Sequence, residues 1–401
     1  MKRIAAIILS VCVLIGTGAM IAFATDDGVV EALSDGGEVA ASAEFSSEGI
    51  DAVSAILIEQ NTGRVLFEYN ADEPLPPASV TKTMTILLTL EAIDDGRISL
   101  EDTVTVSAAA ASMGGSQVFL EEGERMNVDT MLKCMIVSSA NDASVALAEH
   151  IAGSEASFVI MMNERAKELG CTASNFENAT GLDDTVTNHV MSARDIAKIS
   201  AEIMKHDKVK DYTTIWMDTI RDGAFGLTNT NRLIRFYDGA TGLKTGSTAK
   251  AKFCMSATAE RDGMSLIAVV MGSSTRDARN ELAKNLLDFG FANFSCVRRE
   301  EKSMGDVAVK GGVSSEIGLV SKPFYAVVDK GGASKVEESV EIPDSVPAPV
   351  KAGDAVGRIT YKIGDTAIGE ADIVAVSGVD KISFFSLLYK MLRWFIVAPE
   401  K

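Results

Sequence analysis

Apolar and polar positions alternate in a way that predicts the architecture from both ends of one long segment. Ala52 to Glu59 is a nearly continuous apolar run. Asn61-Thr62-Gly63 interrupts it, and Arg64-Val65-Leu66-Phe67-Glu68-Tyr69 returns. This pattern predicts a strand, a turn and a second strand. Pro74, Pro76 and Pro77 then enforce an extended entry to an apolar stretch ending near Ile93, which predicts a buried helix with Ser79 at its start. Helical patterns follow over Thr130 to Val137, Ala143 to Ile151, Ser154 to about Gly170, and from Ser192 to about Met204, several of them opened by capping residues. From about Leu227 the period changes. Gly242 to Gly246, Phe253 to Ala259 and Ser265 to Met271 read as strands, and Arg276 to about Phe291 reads as a closing helix. The expected fold is an α/β domain over residues 51–296. Its antiparallel sheet draws strands from both ends, is flanked by helices, and carries a helical subdomain between them.

After this domain, short alternating runs such as Phe324 to Val328, Val336 to Ile342 and Gly357 to Tyr361 lie between Gly and Pro turns. They predict a small all-β domain over 297–377. In the tail, 378–401, Ser383, Ser386, Lys390 and Arg393 step by three, four and three along an otherwise apolar, aromatic helix. That seam fits an amphipathic helix lying in a membrane interface, since the run is too short to span a bilayer. At the other end, Met1-Lys2-Arg3, the apolar Ile4 to Ile21 and Ala22-Phe23-Ala24 read as a cleavable signal peptide, 1–24. Residues 25–50 are rich in Gly, Ser, Ala and acids and read as a flexible linker. The protein is therefore expected to be exported, and held peripherally on the outer face of the cytoplasmic membrane.

Composition narrows the chemistry. The 401 residues carry a net charge of −18, which removal of Lys2 and Arg3 with the signal would take to −20. So acidic a chain has no basic stripe for nucleic acid. Cys134, Cys171, Cys254 and Cys296 are widely spaced without a Cys-x-x-Cys pair, and Cys134 and Cys254 are expected as buried free thiols. The three histidines, His150, His189 and His206, show no zinc-ligand spacing. Neither a metallopeptidase nor a Ser-His-Asp triad is expected, and no cofactor or metal.

What remains is a nucleophile that works without histidine. Ser79 and Lys82 are three residues apart at a helix start, so the lysine amine can reach the serine hydroxyl. Ser139-Ala140-Asn141 follows Ser79 by 60 residues, and Lys244-Thr245-Gly246 follows Ser139 by a further 105. In this order and at these places, the three motifs resemble those of penicillin-binding proteins and class A β-lactamases. Further matching stretches are Pro77 to Lys82, Val137 to Glu149, Asn178 to Asp183, Ser192 to Asp195 and Gly242 to Thr248. They make the chain similar to the D-alanyl-D-alanine carboxypeptidases among the low-molecular-mass penicillin-binding proteins, from about Val53 to Phe291. The β domain and amphipathic tail match that family's usual appendages. Ala140 stands where the family commonly has Gly, a small departure.

The resemblance implies a β-lactamase/DD-peptidase-like catalytic fold and a serine-type reaction that removes the terminal D-alanine from peptidoglycan stem pentapeptides. Ser79 would be acylated, Lys82 would take its proton, and Ser139 would relay a proton to the leaving amine. Asn141 would hold Lys82 and the substrate amide, while Lys244 and Thr245 would bind the substrate carboxylate. The backbone N–H groups of Ser79 and Ser247, beside Gly246, would form the oxyanion hole. Arg276 is a further candidate for the carboxylate. β-Lactam antibiotics are the expected covalent inhibitors. The alternative, a class A-like β-lactamase, requires a deacylating Glu in a Glu-x-x-Leu-Asn loop. Here the region reads Glu177-Asn178-Ala179-Thr180-Gly181, without the Leu-Asn. A non-catalytic wall-binding protein on the same scaffold would have lost its nucleophile set, which is complete here.

Overall fold

A computed structural model describes residues 45–396. The expected signal peptide and all of the expected linker before residue 45 lie outside the described residues. Phe45, expected within that linker, packs edge-on against Phe67 and Phe289, with ring centroids 4.9 and 5.4 Å away.

The chain begins with β1 (Ser54–Glu59) and β2 (Val65–Tyr69), the predicted hairpin. A single 3-10 turn, Ala78–Thr81, then runs into α1 (Lys82–Asp94). Ten of the thirteen α1 residues are buried, because the helix passes through the middle of the helical subdomain rather than along its surface. Its interior threonines are satisfied by main-chain carbonyls: Thr85 Oγ1 donates to Ala179 O at 2.8 Å and Thr89 Oγ1 to Thr85 O at 2.7 Å.

Around α1 lie β3 (Thr103–Thr105), α2 (Ala108–Ala111), β4 (Arg125–Asn127), α3 (Val128–Val137), α4 (Asn141–Ala152) and α5 (Glu155–Glu168). They are followed by α6 (Ala193–Ile203) and the short α7 (Val209–Thr213). Asn127, Ser154 and Ser192 cap α3, α5 and α6 by accepting main-chain N–H bonds. A hairpin that the sequence pattern did not predict comes next, β5 (Met217–Ile220) and β6 (Phe225–Thr228). Its turn holds Asp222-Gly223, a dipeptide that marks hairpins and was the available signal. After α8 (Leu233–Phe236) come β7 (Ala240–Thr248), β8 (Lys252–Arg261), β9 (Met264–Ser273) and α9 (Arg276–Asn293).

The main sheet has the order β2-β1-β9-β8-β7, with every neighbouring pair antiparallel. Strands from the two ends of the segment thus meet at its centre, as expected. Alternate residues of β1 and β9 face different cores. Ile56, Ile58, Ile267, Val269 and Met271 join the helical subdomain, while Leu57, Leu266, Ala268 and Val270 pack beneath Leu282, Leu286 and Phe291 of α9.

The remaining strands are β10 (Phe294–Arg299), β11 (Lys302–Lys310), β12 (Glu316–Ser321), β13 (Phe324–Asp329), β14 (Val336–Glu341), β15 (Ser345–Pro347), β16 (Ala355–Ile363) and β17 (Thr366–Ala375). Six of them form one sheet, β14-β16-β17-β12-β11-β15, and β10 pairs with β13 over a shared apolar core. Strand pairing therefore starts at Phe294, directly after α9, and isolated bridges of Val379 with Val350 and Lys381 with Gly312 extend it to 381. The β domain touches the main sheet through Arg64 Nη1, which donates to Val327 O at 2.6 Å, and Tyr325 OH, 3.1 Å from Glu59 Oε1. A last helix, α10 (Phe384–Ile396), presents Phe384, Phe385, Tyr389, Met391 and Leu392 to solvent. Among the described residues no single helix is long and apolar enough to cross a membrane.

Candidate active site

Ser79 lies in the 3-10 turn that leads into α1, and its hydroxyl caps nothing. The turn is held by close backbone contact. Ala78 has φ of +49°, and a Cβ on Gly181 (φ +82°) would stand 1.8 Å from Ala78 O. Only glycine at 181 lets that loop press against the turn, and the press brings Thr180 O to Lys82. Lys82 is the first residue of α1 and is fully buried. Its Nζ has three neighbours: Ser79 Oγ at 3.1 Å, Asn141 Oδ1 at 2.5 Å and Thr180 O at 2.9 Å. Burial, and then the charge of Lys244, hold this amine well below the usual lysine range, while the Asp142 carboxylate acts in the opposite direction.

Ser139 sits between α3 and α4 with φ of +61°, a left-handed conformation uncommon outside glycine. Asn141, the first residue of α4, accepts from Lys82 and donates Nδ2 to Gly114 O at 2.7 Å. It lies behind the cleft wall, where it steadies Lys82. Asp142 beside it is fully buried, and its carboxylate accepts from the main-chain N–H groups of Val118 (3.0 Å), Leu120 (3.1 Å) and Ala143 (2.9 Å).

From the opposite side, β7 supplies Lys244, Thr245, Gly246 and Ser247. Lys244 Nζ donates to Ser139 Oγ at 2.8 Å and to Thr245 O at 2.9 Å. Burial brings it down to about 7, and the charge of Arg279 acts the same way. The lysine expected to reach the substrate carboxylate thus stands behind Ser139, while Thr245 lines the cleft. A Cβ on Gly246 would lie 2.8 Å from both Pro77 O and Ser79 N, so β7 runs tightly against the serine turn. These walls enclose a cleft of about 630 Å³ that Ser79, Ser139, Thr245, Gly246 and Ser247 line.

Arg276, a candidate from the sequence, is exposed at the start of α9 and lines the cleft. The guanidinium deeper in the wall is Arg279, one helical step on and 3 % exposed. Its Nη1 donates to Cys254 O at 3.3 Å. Burial, assisted by Arg276, lowers it to about 10. The spacing of the two arginines was the signal for it, since positions three apart share a helix face. Thr180, Trp216 and Phe236 were also missed. The histidines stand apart from the cleft: His189 Nδ1 accepts from Glu177 N (3.0 Å), so Nε2 carries the proton and faces Thr81 Oγ1 at 2.7 Å. Burial lowers His189 to about 4. Glu177, at the place of a class A deacylating Glu, accepts from Thr187 N and Asn188 N, both at 2.9 Å, and does not line the cleft. Cys134, Cys171 and Cys254 are free and buried.

A half-buried serine bonded to a buried lysine, a second serine bonded to a second lysine, and a sheet edge along the nucleophile define a serine acyl-transferring enzyme of the penicillin-recognising type. Sequence comparison agrees. The profile of the family described as "D-alanyl-D-alanine carboxypeptidase" matches residues 39–275, and that of "Penicillin-binding protein 5, C-terminal domain" matches 295–381. The D-alanyl-D-alanine carboxypeptidase DacF of Bacillus subtilis is 41% identical over 349 residues, 85% of this chain and 89% of that protein. DacC of Escherichia coli is 32% identical over 372 residues, 89% and 92%. Penicillin binding protein 5 from Haemophilus influenzae superposes with a TM-score of 0.73 at 31% identity, covering 84% of this chain and all of that one. The chain belongs to the D-alanyl-D-alanine carboxypeptidase family, low-molecular-mass penicillin-binding serine hydrolases that act through an acyl-enzyme.

Proposed function

We propose that Ser79 is the acylated residue and that the enzyme removes the terminal D-alanine from peptidoglycan stem pentapeptides. The observation that carries this reading is the bonding of Lys82 Nζ. A neutral amine has two N–H groups and one lone pair, and here two of its three partners, Asn141 Oδ1 and Thr180 O, can only accept. The lone pair is left for the Ser79 hydroxyl, 3.1 Å away. Lys82 takes the proton as Ser79 Oγ bonds to the carbonyl carbon of the penultimate D-alanine. The developing oxyanion is received by the N–H groups of Ser79 and Ser247, a role supported by the close seat of Gly246 against the serine turn.

As the C–N bond breaks, the leaving nitrogen takes a proton through Ser139, which Lys244 backs at 2.8 Å. Thr245 and Arg279 contact the terminal carboxylate. Lys244 adds positive charge from behind and Arg276 adds it from the rim. Water then attacks the acyl-enzyme with Lys82 as base, since Glu177 is committed to its own loop. The separate sheets support a division into a catalytic domain, a β domain and a tail. The exposed apolar face of α10 supports peripheral attachment to the outer face of the cytoplasmic membrane.

The test is labelling with a fluorescent penicillin together with an assay of D-alanine release. We expect a stable adduct and D-alanine release in the wild type, and neither in Ser79→Ala. Rapid drug turnover would identify a β-lactamase, and a folded wild-type protein that releases no D-alanine would sink the reading.

A further inference from the structure

One edge of the β domain is open and carries features that the reaction at Ser79 does not use. In the order β14-β16-β17-β12-β11-β15, β14 is an outermost strand, and five of its six residues are exposed. The main-chain groups on its outer side have no ladder partner, the condition under which a further strand can be added. The two faces of β14 differ. Val336, Glu338 and Val340 pair with Ile363, Tyr361 and Ile359 on the side of the shared apolar core, whereas Glu337, Ser339 and Glu341 point the other way. Ile359 is 3% exposed, and Val340 directly opposite it is 46% exposed. The core thus stops one strand short and leaves an apolar shelf at the edge.

This shelf opens into a groove of about 740 Å³, larger than the catalytic cleft. Val340, Ile342, Pro343 and Val356 supply its apolar wall, and Glu341 and Asp372 its acidic groups. The basic side chain beside them, Arg358, is already engaged with Glu370 at 2.8 Å. Among the described residues Glu337, Glu341 and Asp372 form no ion pair. The strand itself is held in place. Arg299 Nε donates to Glu338 Oε1 at 2.8 Å, and Gly357 lies so close to β14 that a Cβ there would stand 2.5 Å from Glu341 O. A second copy of the chain is a poor occupant, because two β14 edges laid together would set carboxylates against carboxylates.

We propose that β14 and its groove receive an extended segment of a partner protein in which Lys or Arg alternate with aliphatic residues. The aliphatic side chains continue the core beyond Val340, the basic ones face Glu337 and Glu341, and the added main chain closes the open ladder. The surface is separate from the catalytic cleft, and its occupancy does not depend on the reaction there.

The experiment titrates the full-length protein, in non-ionic detergent at about 0.15 M salt, into fluorescein-labelled acetyl-Val-Lys-Val-Lys-Val-Lys-amide and follows anisotropy. A second peptide has the same sequence and charge but a methyl group on every main-chain nitrogen, which removes its ladder donors. The first peptide should bind, and the second should bind about tenfold more weakly or not at all. The double variant Glu337→Lys, Glu341→Lys should also weaken the first peptide about tenfold. Both side chains are exposed, so the variant folds, and the comparison of peptides on the wild type stands without it. Amide hydrogen exchange across Val336–Glu341 should slow on binding. Equal binding of the two peptides is mere attraction to an acidic chain and overturns the proposal, as does unaltered binding by the double variant. Slowed exchange on self-association, or with peptidoglycan fragments and not with the peptide, gives the edge to another occupant and overturns it too.

Discussion

Lys82 must be neutral to accept a proton, and the residues around it decide at what pH that holds. Desolvation and Lys244 favour the neutral amine, and Asp142 favours the charged one. Activity should therefore rise with pH along an acid limb set by Lys82. Replacing Asp142 by Asn removes the opposing charge and should move that limb to lower pH, measured as the pH profile of penicillin acylation. The same substitution leaves one of the N–H groups of Val118, Leu120 and Ala143 poorly met, and should lower stability by about 2 kcal/mol. His189 adds a separate dependence. Its folded value, about 4, lies below the ordinary 6.5, so the neutral ring stabilises the fold above pH 6.5 and that contribution is lost as pH falls toward 4. A melting series from pH 7 to 4 should show a decline that His189→Gln, which removes the titrating ring, flattens.

Among the elements, β7 and the serine turn form a close main-chain joint. Gly246→Ala would set a methyl 2.8 Å from Ser79 N and Pro77 O, both main chain, so strand and turn must separate. Because a displacement of about 1 Å at a reacting centre costs about a hundredfold, acylation should fall by that order while the melting temperature changes little. What could be read from the sequence divides along this line. Ser79 and Lys82 were legible because their spacing fixes a shared helix face, and the β1–β9 sheet because its strands are long apolar runs. Thr180 O and the backbone press of Gly181 on Ala78 were not, since a main-chain carbonyl leaves no trace in residue identity. The β5–β6 hairpin escaped because its strands are short and half exposed. With it went Trp216, at the foot of that hairpin.

At the scale of the whole molecule, the tail can be separated from the catalytic body only at the right residue. Val379 and Lys381 still pair with Val350 and Gly312, and Ile382 N donates to Gly311 O at 2.8 Å. Truncation should start at Ser383. The shortened protein should keep its kcat/KM on soluble peptide within about twofold, as surface changes far from a site do, yet leave the membrane fraction. Retention of the truncated form on membranes would dismiss the anchor. The centre of the main sheet has a consequence for how the chain is made. Ser54 pairs with Met271, 217 positions later, so the first strand synthesised waits for nearly the last of its domain before its ladder can close. Distant pairings of this kind are slow to form, because the loop must be ordered before the contacts reward it. For a chain exported as an open thread, the route expected from reading residues 1–24 as a signal peptide, that delay is a gain: its central strand has no partner to lock onto until the partner has also emerged.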